Sequence, residues 1–113
     1  MKITFPGTFT DLNTYINAER RNRFIAAKIK KGETERVYWQ CKESVVQPVQ
    51  EYPVNIHISY YMPNKRKDPD NFLFSKKFLF DGLVMAGVLR NDTWNEIRAI
   101  QEDWAVDKEN PRI

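Results

Sequence analysis

The sequence predicts an α+β fold, a small mixed β-sheet packed against two or three helices, in a single domain over residues 1–113. Two patterns carry that reading. Val54–Met62 reads VNIHISYYM, apolar at every second position, as in a strand with one buried face. On either side, from Leu12 to Val46 and from Asn71 to Gly87, apolar residues recur at helical spacing. With 42% hydrophobic and 13% aromatic residues, 113 residues can close one modest core.

In chain order, Lys2-Ile3-Thr4-Phe5 alternates and stops at Pro6-Gly7, which predicts a short first strand. Thr10 or Asp11 can cap a helix that begins at Leu12. A charged turn is expected over Glu19–Arg23, and Gly32 should end or kink the helical run. A second run from about Glu33 to Val46 carries Val37, Tyr38, Cys41 and Val45 on one side. The helix after Asn71 should bury Phe72, Phe78, Leu79, Leu83 and Met85 and stop at Gly87. Ile97 to Val106 reads as a further strand, and Asp107–Arg112 as a polar turn. Trp94 is read as a buried or interface aromatic ahead of a base-stacking one. Glu96 is read as a surface residue.

Charge and cysteine usage narrow the function classes. Eighteen basic against fifteen acidic residues give +3, which is too mild to indicate nucleic acid by itself. Clustering says more. Arg20, Arg21, Arg23, Lys28, Lys30 and Lys31 fall within twelve positions, opposed only by Glu19. Such a face is ordinary solvated surface or a sequence-independent grip on DNA phosphates. Cys41 is the one cysteine, so no internal disulfide forms, and it reads as core. No signal-peptide pattern and no apolar run of about 18 residues is present. A cytoplasmic protein with no membrane partner is the expectation.

The chemistry concentrates between Lys65 and Asp92, KRKDPDNFLFSKKFLFDGLVMAGVLRND. Lys65, Arg66 and Lys67 lead directly into Asp68 and Asp70, with Pro69 between them holding Asp68 out of the helical region. Asp70 could cap the following helix. On one continuous helix at roughly 100° per residue, Lys77 and Asp81 return within about 20° of Asp70, while Lys76 points about 120° away. The plainer reading of Lys77 and Asp81 is an i,i+4 ion pair. Asp92 supplies a third carboxylate. The D-x-D-N start fails as a calcium loop, since Leu73 and Leu79 stand where glycine and glutamate are needed. His57 has no second histidine or cysteine at ligand spacing, so zinc is not indicated. Carboxylates without thiolates suit Mg²⁺ or Mn²⁺ shared with substrate phosphates.

Asp68-Pro69-Asp70-Asn71, a lysine four residues before Asp81-Gly82-Leu83, and Ala86-Gly87-Val88-Leu89 running to Asn91-Asp92 together resemble the RusA family of Holliday junction resolvases. The strand ending in Met62-Pro63 and the early Leu12-Asn13-x-Tyr15 extend that resemblance over most of the chain. It implies a homodimeric, Mg²⁺-dependent endonuclease, often prophage-encoded, with Mn²⁺ able to substitute, that cuts four-way DNA junctions in recombination and repair.

Carried over residue by residue, the resemblance makes Asp68, Asp70 and Asp92 both metal ligands and catalytic residues. Lys77 becomes the catalytic lysine, counted back from Asp81. Lys65, Arg66, Lys67, Lys76, Arg20, Arg21 and Arg23 fall to DNA binding, with Asp81, Asn71 and Asn91 supporting the ligands. The helix is about one turn longer than in the best-known members, so Lys76 competes with Lys77. One acid of the family's aspartate pair is replaced by Asn91. The family's final strand would start near Ile113, implying a shortened chain or one strand fewer. Two other classes remain: a branched-DNA-binding module that does not cut, and a metal-dependent nucleotide phosphohydrolase.

Overall fold

The computed structural model describes residues 1–113. Asp11 starts the first helix, α1 (Leu12–Arg21), by accepting a hydrogen bond from the Thr14 N–H at 2.7 Å. The chain breaks at Asn22, which is extended (φ −167°) and whose side chain accepts from the Phe24 N–H at 2.8 Å. That cap opens α2 (Arg23–Glu43), which runs straight through Gly32. The expected stop at Gly32 is therefore wrong. A helix-interior glycine costs only about 1 kcal/mol, and α2 offsets it by burying Ala26, Val37 and Cys41. An asparagine whose side chain competes for backbone N–H groups is the stronger break.

β1 (Val54–Met62) has the predicted bounds and buries Ile58, Tyr60 and Met62 on its inner face. Next come a short helix, α3 (Pro69–Leu73), and then α4 (Lys76–Met85). One continuous helix was expected here, and the structure divides it. Ser75 is buried, and its hydroxyl donates to the Phe72 carbonyl at 2.6 Å, closing α3. The break sends Phe72 onto the sheet beside Tyr60 and Trp104, and Phe74 onto Tyr15 of α1. Met85, placed in the core by periodicity, is exposed at the end of α4. Gly82 packs α4 closely on α2: a Cβ there would collide with Val37 and meet the Thr34 carbonyl at 3.0 Å.

β2 (Ile97–Val106) pairs parallel to β1 from Val54↔Ile97 to Met62↔Val106, with an irregularity after Val54. This two-stranded parallel sheet is the only regular one. Lys2–Phe5 does not form the predicted strand. Instead Phe5 exchanges backbone hydrogen bonds with Ile113 (2.7 and 3.0 Å), and Tyr61 does so with Arg112 (2.7 and 2.9 Å). These antiparallel bridges give the arrangement its mixed character, and they seat Ile113 against the core. That core joins Phe5 and Phe9, Val37 and Cys41 of α2, the inner face of β1, and Phe72, Phe78, Leu79 and Val88. Cys41 lies within it as expected, and burial raises its thiol pKa. No helix is long and apolar enough to cross a membrane.

The helices cover β1 and leave β2 open. On β2 the inward-register residues Ile100, Trp104 and Val106 remain 44–50% exposed, and nothing pairs with its outer edge.

Candidate functional site

Asp68 and Asp70 stand at the C-terminal end of β1, at the start of α3. Asp68 holds the N-cap position in an extended conformation (φ −70°, ψ 153°), with Pro69 first in the helix and Asp70 in the first turn. Capping was expected of Asp70; Pro69 fixes it on Asp68, because proline favours the first helical position. The Asp68 carbonyl accepts from the Asn71 and Phe72 N–H groups, while its carboxylate makes no cap bond. Asn71 ties this turn to α1 by accepting from the Asn13 N–H at 2.9 Å. Lys67, expected to grip phosphate, reaches back to the buried Asp11 at 2.7 Å. Burial works against the Asp11 charge, yet bonds from Lys67 and Thr14 hold its pKa below the usual carboxylate value.

Asp92 sits on the loop that enters β2, and this loop is braced from below. Glu96, expected at the surface, is buried. Its carboxylate accepts from the Thr93 N–H and hydroxyl and from Arg90 Nε at 2.9 Å. The Thr93 hydroxyl and then Arg90 hold its pKa below the ordinary value. Thr93-Trp94-Asn95-Glu96 is the S/T-x-x-E capping pattern used to brace a turn, and that pattern could have revealed it from sequence. Arg90 also lies over the Tyr52 ring at 4.3 Å, and its N–H donates to the Tyr52 hydroxyl. Held this way, the loop turns Asp92 outward with only Asn91 folded onto its N–H.

The chain contains seven aspartates. Asp11, Asp81, Asp103 and Asp107 are each engaged by a cation or histidine. Asp68, Asp70 and Asp92 are exposed and have no side-chain partner. Parallel pairing sets them apart, however. Asp92 precedes β2 at the Val54↔Ile97 end, whereas Asp68 and Asp70 follow β1 at the Met62↔Val106 end. Nine steps of about 3.3 Å put roughly 30 Å of sheet between those ends. Accordingly, one chain gathers no group of three or more His, Cys, Asp or Glu side chains able to hold a metal ion.

The lysines diverge as well. Because the helix breaks at Phe74–Ser75, Asp70 on α3 does not share a helix face with Lys77 and Asp81 on α4, contrary to expectation. Lys76 crosses onto β2 and meets Glu102 at 2.7 Å; the buried Tyr60 hydroxyl donates to the same carboxylate at 2.6 Å. Burial and then Glu102 raise the Tyr60 pKa. Glu102 was missed in the sequence, although an acid between Ile100 and Trp104 interrupts an apolar alternation. Lys77 meets Asp81 at 3.3 Å, the i,i+4 pair, and Lys30 approaches Asp81 at 3.9 Å. Lys65, Arg66, Arg20, Arg21 and Arg23 are exposed, and none is in an ion pair. Arg23 lies over the exposed Phe24 ring at 5.2 Å. His57 pairs with Asp103 at 2.5 Å, and both side chains are exposed.

Among curated proteins, the chain is similar to the crossover junction endodeoxyribonuclease RusA of Aquifex aeolicus (strain VF5), at 32% identity over 81 residues. The alignment takes in 71% of this chain and 61% of that relative, so the chain covers less than two thirds of the relative's length. No protein-family profile and no solved structure matches.

Proposed function

We propose that this chain is a member of the RusA family that resolves four-way DNA junctions by paired symmetric nicks, acting as a homodimer with Mg²⁺. The observation that carries the reading is the selective loneliness of three carboxylates. The aspartates that motif order singles out are the three that the fold leaves without a partner. Unpaired acids repel phosphate, so a surface built only to bind DNA would neutralise them; a hard divalent cation turns them into an asset. Their donor set, all carboxylate oxygen, fits magnesium.

The ligands would come from two copies. A two-fold axis beside the unpaired edge of β2 would bring the Asp92 loop of one copy to the Asp68–Asp70 turn of its partner. The exposed Ile100, Trp104 and Val106 supply apolar surface for such a contact. Magnesium supplies activation of water and neutralisation of charge at the scissile phosphate. Asp68, Asp70 and Asp92 hold it, and Lys77 offsets charge that develops on the phosphate. Lys65 and Arg66 grip neighbouring phosphates, and Arg20, Arg21 and Arg23 extend that grip along α1 and α2. Two equivalent sites suit two equivalent strands of a junction. The extended basic surface favours DNA over a free nucleotide.

The test is cleavage of an end-labelled four-way junction by the purified protein, with and without Mg²⁺, alongside sedimentation. Paired nicks that require the metal, made by a dimer, are expected. Metal-independent cutting, or a monomer that cuts, would refute the proposal.

A further inference from the structure

Trp94 is the most exposed large apolar residue of the chain, with 97% of its surface open. A tryptophan so placed buries nothing in this fold, yet its loop is tied down by several hydrogen bonds. The Thr93 carbonyl accepts from the Glu96 and Ile97 N–H groups at 3.0 Å each, the Glu96 carboxylate binds Thr93 and Arg90, and the Glu96 carbonyl accepts from Val54. The loop therefore presents Trp94 at little ordering cost. The surroundings indicate what it meets. Asn91, Asp92, Thr93 and Asn95 are its neighbours, all polar and exposed, and Arg90 and Arg98 flank the loop with exposed guanidinium groups. A protein–protein anchor sits in an apolar patch. A lone indole on a polar loop, with an arginine at either end of it, suits a nucleobase with its phosphates.

We infer that Trp94 is a base-stacking residue, its indole lying on an unstacked nucleobase beside the phosphate presented to Asp92. The inference deepens the nuclease reading and rests on it. It also gives a junction-cutting site a reason to prefer DNA whose bases are already unpaired, because a stacked duplex offers no free base face.

The test uses the full chain with a four-way junction carrying 2-aminopurine next to the cleaved position, with Ca²⁺ in place of Mg²⁺. Trp94→Ala should weaken junction binding by roughly 5- to 150-fold and abolish quenching of the 2-aminopurine. Trp94→Phe should keep most of both, and Trp94→Leu neither. Sedimentation should show an unchanged mass for all three. Unaltered affinity of Trp94→Ala beside normal Mg²⁺-dependent cutting would overturn this inference and leave the nuclease reading standing. Rescue by Trp94→Leu, or dissociation of the dimer by Trp94→Ala, would overturn it too, by making Trp94 an apolar anchor for the partner copy. Failure of the unmodified protein to bind junctions would remove both readings.

Discussion

A site divided between two copies predicts complementation that a site within one copy forbids. Asp70→Asn and Asp92→Asn should each abolish cleavage and keep junction binding, because each removes a ligand and neither touches the basic grip. About 30 Å of sheet lies between the strand ends that carry the two positions, so a shared site would draw Asp70 from one copy and Asp92 from the other. In a mixed dimer, one site then carries both substitutions and its twin carries none. Random exchange of equal amounts makes about half the dimers mixed, which restores about a quarter of all sites. Those dimers should nick one strand of the junction and leave the other whole. Asp68→Asn mixed with Asp70→Asn is the control: both positions lie on one turn, so every site stays broken and activity stays at zero. The assay is single-turnover cleavage of a labelled junction after subunit exchange, with exchange followed by a tagged copy. Silence from the Asp70/Asp92 mixture once exchange is confirmed would refute the shared site.

Three other outcomes follow from the geometry. Gly82→Ala should destabilise the fold by about 1–2 kcal/mol, since overpacking against Val37 costs about 1–3 kcal/mol and exceeds a helix-propensity gain of about 1 kcal/mol; a lowered melting temperature would show it, and an unchanged one would refute the close packing of α4 on α2. Glu96 has its pKa held below the ordinary 4.5, so its contribution is fully present above that value and is lost as pH falls through the lower folded value. Acid titration of Trp94 fluorescence should therefore show a transition that Glu96→Gln lacks. Lys76→Ala should cost about 1 kcal/mol of stability by leaving Glu102 without its cation, whereas Lys77→Ala should leave stability intact. In single-turnover cleavage Lys77→Ala should fall by about 10²-fold, with the salt dependence of junction binding unchanged.

What was legible in the sequence was whatever a period or a cap could encode. β1 was readable to the residue because its alternation is uninterrupted, and the cap of α1 was narrowed to Thr10 or Asp11 because capping side chains precede an apolar run; the structure uses Asp11. The course of α2 was not, because glycine is a weak helix breaker once a helix is packed on both sides. The split between α3 and α4 escaped because Ser75 acts through one buried hydroxyl bond that no hydropathy pattern reports. The three aspartates could be named from spacing, and so could their lack of histidine or cysteine company. Their distribution over two ends of the sheet could not, since it depends on β1 and β2 running parallel. Glu96 read as a surface residue because of its charge, and only the Thr93–Glu96 capping spacing pointed the other way.

The divided helix also explains why counting along the motif gives two answers for the lysine. Between Asp70 and Asp81 the helical path is interrupted at Phe74–Ser75. Positions on α3 keep their relation to the end of β1, and positions on α4 keep theirs to α2. Counting from Asp70 therefore loses meaning beyond Leu73, whereas counting back from Asp81 stays within a single helix and reaches Lys77. The contacts agree with a division of labour: Lys76 is committed to the carboxylate that also holds the buried Tyr60, and Lys77 shares a half-buried aspartate with Lys30. A lysine that shares its carboxylate with a second cation is the freer to move to a phosphate. On that ground Lys76 supports the sheet, while Lys77, about 100° further around α4, stays available to a phosphate.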